Sequence, residues 1–387
     1  MVRLGDVCEL IRNGVSIKQN KRKDGYPITR IETISDGIVD REKMGYAGIV
    51  QLDKYKDYLL KNGDILMSHI NSEKHLGKVA YYENKEGEII IHGMNLLFLR
   101  IKQVHMNSRY AFFIFNSPFF KRQIPRITKK SVNQASFTVT ALRELNLISP
   151  PLTTQKHIVD TLDKTQEIID CHKKQLAELD NLIKAAFYEM FQRFFPDKLM
   201  HMLLPEICTF IDYRGKTPEK SNRGIPLITA KNIKNNTFSI EPREFIPESN
   251  YDKVMTRGIP EVNDVIFTTE APLGNVCRIP KCLTRFAVGQ RIIVMQPNKE
   301  LVTSEYLEYA LASEEFQNEM LKRSSGSTVR GIRSKELVQL AVCVPPIQLQ
   351  MDFTKIVTKI EEQKAIVKQA IAESENLFNS LMSEYFD

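Results

Sequence analysis

The 387-residue sequence has no run approaching the ~20 consecutive apolar residues that a membrane span requires. The stretches 110–115 and 118–120 are apolar but short and broken by polar residues, so they are expected in a core. The opening string MVRLGDVCEL has no long apolar segment, and no signal peptide is expected. Glycine numbers only 17, below the usual share of roughly 7%. There is no G-x-x-x-x-G-K-[ST] phosphate loop and no G-x-G-x-x-G after a strand. H-E-x-x-H, G-x-S-x-G and an acidic–acidic–lysine nuclease pattern are missing as well. The six cysteines (Cys8, Cys171, Cys208, Cys277, Cys282, Cys343) are scattered. Cys277 and Cys282 stand too far apart for a CxxC pair, and no histidine cluster accompanies them. They read as reduced structural thiols of a cytoplasmic protein, with no metal ligand among them.

The remaining catalytic candidates are weak. Asn116-Ser117-Pro118-Phe119 departs at Ser117 from the N-P-P-[FY] string of amino-methyltransferases, and no glycine-rich cofactor loop supports it. Thr268-Thr269-Glu270 follows a strand but has no partners that complete a catalytic set. Pro196-Asp197-Lys198 reads as a linker. What is present is enough to fold: 42% hydrophobic and 26% charged residues exclude a disordered chain. A single core seldom grows past ~250–300 residues, so more than one domain is expected.

The chain repeats itself. Leu147-Ile148-Ser149-Pro150-Pro151 returns as Val342-Cys343-Val344-Pro345-Pro346, and Gln155 returns as Gln350. Gly63-Asp64-Ile65-Leu66 returns as Asn263-Asp264-Val265-Ile266, and Leu76-Gly77-Lys78-Val79 as Leu273-Gly274-Asn275-Val276. Gly25-Tyr26-Pro27-Ile28 pairs with Gly224-Ile225-Pro226-Leu227, and Cys8 with Cys208. A period near 195 is a duplicated domain rather than a solenoid repeat. In each copy, residues of mixed and β-rich pattern precede a Pro-Pro pair, and a long helical segment follows (153–195, and 347 to the C-terminus).

Both helical segments carry a heptad seam. The first is Ile158, Leu162, Thr165, Ile169, His172, Leu176, Leu179, Ile183, Ala186 and Met190. The second is Phe353, Val357, Ile360, Lys364, Val367, Ile371, Ser374, Phe378, Leu381 and Tyr385. Equal lengths and matching seams predict antiparallel packing of one helix on the other, with His172 as a core or register-setting residue. The expected fold is α+β: two pseudo-repeated globular domains separated by two long antiparallel coiled-coil helices. The expected boundaries are 1–150, 151–195, 196–345 and 346–387.

The net charge of +7 is unevenly placed. Residues 1–150 hold 24 basic and 15 acidic residues, and 196–345 hold 20 and 18. The helical segments are slightly acidic, with 6 against 7 and 4 against 7. This suits globular domains that touch phosphate and helices that touch protein. The candidate DNA contacts in the first domain are Lys18, Gln19, Asn20, Lys21, Arg22, Lys121, Arg122, Arg126, Lys129, Lys130, Asn133 and Gln134. Those in the second are Tyr213, Arg214, Lys216, Thr217, Lys231, Asn232, Lys234, Lys322, Arg323, Ser327, Thr328, Arg330 and Arg333. Lysine and arginine neutralise phosphates, and arginine, asparagine and glutamine can read base edges through paired hydrogen bonds. The runs at 129–142 and 324–337 occupy matching places in the repeat, as two copies of one binding surface would.

Pro150-Pro151-Leu152-x-x-Gln155-Lys156-x-Ile158-Val159 and Pro345-Pro346-Ile347-x-x-x-Gln350 resemble the helix starts of type I restriction–modification specificity subunits, the HsdS family. The segment 176–191 is similar to that family's central conserved region, and 211–218 with 224–235 to the opening of a target recognition domain. The segment 67–75 departs from the family's usual small-residue loop. The resemblance covers nearly the whole chain. It implies target recognition domains at 1–150 and 196–345, a central conserved helix at 151–195 and a C-terminal conserved helix at 346–387. It implies a non-catalytic subunit whose two domains each read one half of a bipartite site in double-stranded DNA. The helices would set the spacer and dock two methyltransferase subunits, with restriction and translocase subunits joining the complex. S-adenosylmethionine, ATP and Mg²⁺ would then belong to partner subunits and none to this chain, and no membrane partner is expected. A stand-alone DNA-modifying enzyme with an unrecognised site, and a coiled-coil adaptor binding acidic protein, are the alternatives.

Overall fold

The computed structural model describes the chain except residues 21, 36, 132–133, 214–217 and 327–328. The fold is α+β and falls into two compact units, Met1–Lys173 with Gln369–Asp387, and Lys174–Lys368. Each unit therefore holds one globular domain and part of both long helices.

In the first unit the main sheet has the strand order Cys8–Asn13, Leu96–Ile101, Ile65–Ser68, Val79–Tyr81, Ile38–Val39, Ile34–Ser35. Its central strands are apolar on both faces, and the two-residue period of a strand explains why. Ile65, Met67, Leu97 and Leu99 point into a core shared with the helix Ser108–Asn116 and the long helices. Leu66, Ala80, Phe98 and Tyr82 point into a second core on the other face. The second unit repeats the plan with Cys208–Asp212, Ile292–Pro297, Val265–Thr268 and Val276–Arg278 in the same order. Val265, Phe267, Ile293 and Met295 face the helices, and Ile266, Cys277, Ile292 and Val294 face the smaller core.

The repeated Gly-Asp and Asn-Asp strings are the turns that launch the central strands. Gly63 (φ 86°) and Asn263 (φ 75°) take the left-handed conformation that glycine and asparagine tolerate best. The next carboxylates close the turns: Asp64 Oδ2 accepts from Lys61 N at 2.7 Å, and Asp264 Oδ2 from Glu261 N at 2.8 Å. All six cysteines are free thiols. Cys8 and Cys208 open equivalent strands, and burial pushes both thiols up to about 12, which leaves them inert packing residues.

The long helices are Leu152–Phe191 and Ile347–Phe386, each of 40 residues. The first ends four residues before the expected 195, and a 3₁₀ turn at Gln192–Phe194 follows it. Each helix starts on a buried glutamine. Gln155 Oε1 accepts from Asn107 N (2.9 Å) while its Nε2 donates to Pro150 O (2.8 Å). Gln350 Oε1 accepts from Thr303 N (3.0 Å) while its Nε2 donates to Pro345 O (2.7 Å). Asn107 and Thr303 are themselves the N-caps of equivalent nine-residue helices. Tyr110 Oη and Tyr306 Oη add matching bonds to Ile148 O and Cys343 O.

Within each unit the helices run antiparallel. In the first, Lys173 pairs with Glu375 at 2.9 Å, while Leu162 shares a core with Met382 and Phe386. In the second, Asp180 pairs with Lys364, while Phe191 packs on Phe353 at 5.5 Å between ring centroids. Lys364, an expected polar seam position, is thus partnered across the seam. The seam departs from expectation at its C-terminal ends. After Ile183 the buried positions are Phe187 and Phe191, and after Phe378 they are Met382 and Phe386. The expected Ala186, Met190, Leu381 and Tyr385 lie half-buried on the flank. A straight helix drifts ~20° per heptad, so steps of four replace the alternation once the globular core covers the helix.

Candidate nucleic-acid interface

In both units a hairpin docks on the backbone just beyond a central strand. In the first unit the strand Ala135–Ser136 pairs with Lys129–Lys130 on one side and Ile70–Asn71 on the other. In the second, Ser325 and Gly331 exchange two backbone hydrogen bonds of 2.9 Å, and Gly331 bridges to Glu270. Each hairpin is anchored by the apolar residue that follows it. Phe137 N donates to His69 O (3.2 Å), Ile332 N donates to Thr269 O (3.0 Å), and both side chains are buried. The two hairpins are therefore equivalent in structure as well as in sequence.

Around the first hairpin Lys129, Lys130 and Gln134 are exposed, and Lys130 pairs with Glu73 at 2.7 Å. Such an exposed ion pair is worth only ~0–1 kcal/mol and exchanges readily for a phosphate. Beside the second hairpin lies an open groove of about 370 Å³, lined by Thr269, Glu270, Gln290, Ser325, Val329, Gly331, Ile332 and Arg333. Arg330 and Arg333 are exposed, and Arg291 bonds Glu270 at 2.8 Å. Among the described residues no cluster of three His, Cys, Asp or Glu side chains is placed to hold a metal ion. No described helix is long and apolar enough to cross a membrane.

Other sequence candidates are scattered. Lys18, Asn20 and Arg22 are exposed on one segment, where Asn20 Oδ1 accepts from Arg22 N. Lys121 and Arg126 are exposed on the short helices Pro118–Lys121 and Ile124–Ile127. Lys234 is exposed, and Lys231 joins Lys220 on Glu244. Lys322 and Arg323 both pair with Glu319. Lys21, Asn133, Arg214, Lys216, Thr217, Ser327 and Thr328 lie outside the described residues.

Three candidates serve the fold instead, and a fourth, Arg122, carries an exposed ion pair. Tyr213 is a core residue whose hydroxyl donates to Gly258 O and accepts from Arg257 N, both at 2.7 Å. Asn232 is buried at 1% exposure, donating to Ser239 O and Pro242 O and accepting from Thr229 N. Gln19 turns inward, its amide reaching Thr29 O. Arg122 pairs with Asp387 at 2.9 Å, tying the domain to the end of the second long helix. Sequence reasoning passed over Lys74, Lys78 and Arg291, which the fold brings beside the hairpins. Lys78 sits inside the repeated Leu76–Val79 string, so the repeat marked its loop but not its charge.

The family described as the type I restriction modification DNA specificity domain matches residues 1–181 and again 196–376. The two matches begin 195 residues apart, the period of the repeat. The chain is similar to a putative type I restriction enzyme MjaX specificity subunit of Methanocaldococcus jannaschii, at 31% identity over 98% of this chain and 91% of that one. It is also similar to the type I restriction enzyme EcoKI specificity subunit of Escherichia coli, at 23% identity over 47% of this chain and 40% of that one. Two solved structures share the fold. One is a chain from a study of complex assembly and conformational transition of the type I R-M system (TM-score 0.56, 17% identity, 100% of this chain and 96% of that one). The other is the S subunit of the M. genitalium type I restriction-modification system (TM-score 0.54, 14% identity, 100% and 95%). Both halves match one family and a full-length relative exceeds 30% identity; the chain belongs to the type I restriction–modification DNA specificity family, a family of DNA-recognition rather than catalytic subunits.

Proposed function

We propose that the chain reads DNA for a type I restriction–modification complex through two surfaces, one on each globular domain, each taking one half of a bipartite site. The observation that carries this reading is the equivalent hairpin in each unit, docked on the same edge and bearing exposed cations. Cations hold the phosphates, while Gln134, Gln290 and Arg333 offer donors and acceptors suited to base edges. The domains run over 1–150 and 196–345. The long helices set the spacer and dock two methyltransferase subunits, and restriction and translocase subunits complete the assembly. S-adenosylmethionine, ATP and Mg²⁺ act on those partners, and the complex works in the cytoplasm.

The test is methylome mapping of cells that express the chain with its methyltransferase partners. Changing Arg330 and Arg333 together should alter or abolish one half-site and leave the other half unchanged. Loss or change of both halves together would count against two independent reading surfaces.

A further inference from the structure

The two hairpin faces differ in charge at several matching positions. In the first unit Lys74, Lys78, Lys121, Arg126, Lys129 and Lys130 are all exposed. They lie on three adjoining elements: the loop at 72–78, the short helices at 118–127 and the hairpin. Gly77 in that loop backs onto Ile124, where an added Cβ would stand 3.2 Å from the isoleucine side chain, and Lys130 reaches Glu73 in the same loop. The three elements that carry the six cations are therefore contiguous. Apart from Lys130, none of them has a carboxylate partner among the described residues. Lys78 and Lys121 lie close enough for their like charges to act on each other. Like charges gathered in this way repel one another and focus a positive field that attracts a polyanion.

At three of the corresponding positions the second unit carries a neutral side chain, and at a fourth a cation paired with a carboxylate. Asn275 replaces Lys78, and its amide donates to Ile233 O at 2.9 Å. Gln317 replaces Lys121 and donates to Gly274 O (2.9 Å) and Leu311 O (2.7 Å). Lys322, at the place of Arg126, shares Glu319 with Arg323. Ser325 stands where Lys129 does.

We infer that the two domains divide the work of binding: the 72–78 loop, short helices and hairpin of the first form a clamp on the DNA phosphate backbone, and the lysines at 78, 121 and 129 that build it have no basic counterpart at the matching positions of the second. This rests on the DNA-reading function proposed above and adds to it where the salt-dependent affinity resides. The first domain supplies the larger share of the counterion release, and Arg330 and Arg333 add a smaller share from the second.

The experiment measures binding of the complete chain, co-purified with its methyltransferase partners, to a duplex carrying the mapped site and to a random duplex across a salt series. The variant is Lys74→Gln with Lys78→Gln and Lys121→Gln. The control, Lys54→Gln with Lys61→Gln and Lys85→Gln, removes the same charge from exposed positions; Lys61 and Lys85 lie by the far end of the Ile65–Ser68 strand from the hairpin. Each phosphate contact contributes about 0.9 to the slope of log K against log salt. The patch variant should lose about 2 to 3 from that slope on both duplexes, and the control less than 1. Half-site sequences mapped in cells should not change. Equal slopes for parent and patch variant, or equal losses in variant and control, would overturn the clamp while leaving DNA reading intact. A parent complex that does not prefer the mapped duplex at any salt would instead overturn the reading on which the clamp rests. Unchanged thermal unfolding of both variants guards against misfolding, as expected for exposed lysines.

Discussion

Gln155 and Gln350 show how one side chain can be fixed by the needs of a backbone. Each helix begins after two prolines, and the carbonyl of the first of each pair, Pro150 and Pro345, points at a glutamine amide. The other end of that amide takes the N–H of a helix cap, so one residue satisfies two buried groups. Gln155→Leu or Gln350→Leu should therefore cost about 1–3 kcal/mol of its own unit's stability, read as a fall in urea midpoint with unchanged slope. His92 makes a different prediction. It is fully buried, with Nε2 on Leu96 O (2.8 Å) and Nδ1 on the Thr29 hydroxyl (3.1 Å), and burial pushes its pKa down to about 4. The unfolded chain takes up a proton near pH 6.5 that the fold refuses until about 4, so stability is lost as pH falls through that window, by about 3 kcal/mol at most. Urea unfolding at pH 7 and 4.5 should show that loss in the parent and a much smaller one in His92→Gln. The glutamines were visible in the sequence because they repeat at an offset of 195. The burial of Tyr213 and Asn232 was not, since a tyrosine or asparagine among lysines looks like surface until its tertiary partners are known.

At the scale of elements, the helices were legible and their last turns were not. Two prolines, an unbroken helical run and a heptad pattern marked both helices and their antiparallel pairing. The pattern assumes 3.5 residues per turn, and from Ile158 to Ile183 a straight helix departs from it by roughly 70°. The seam therefore moves to Phe187 and Phe191 in one helix and to Met382 and Phe386 in the other, at the same offset of 195. These residues join the globular cores through Tyr306, Phe353 and Tyr110. Phe191→Ala and Phe386→Ala should each cost about 3–5 kcal/mol, and Met190→Ala on the flank less than half as much, by denaturant unfolding. The hairpins were legible only in part. Their basic runs stood at matching places, but the edge on which they dock comes from residues some sixty positions away, and pairing across that distance leaves no local signal.

At the scale of the whole molecule, duplication explains the plan. One unit of sheet, hairpin and long helix occurs twice, and the family match restarts after 195 residues. The copies differ in loop length and in charge around the hairpins, and agree where they fold, in Cys8 and Cys208, Gln155 and Gln350, Tyr110 and Tyr306. If the helices set the gap between half-sites, deleting one heptad from each should change the mapped spacer and leave both half-site sequences as they were. The most direct test of the central claim is an exchange of residues 1–150 for the matching segment of another family member, followed by methylome mapping. One half-site should change to that of the donor, with the other half and the spacer retained. A site unchanged in both halves, or changed in both, would contradict the claim that each domain reads its own half.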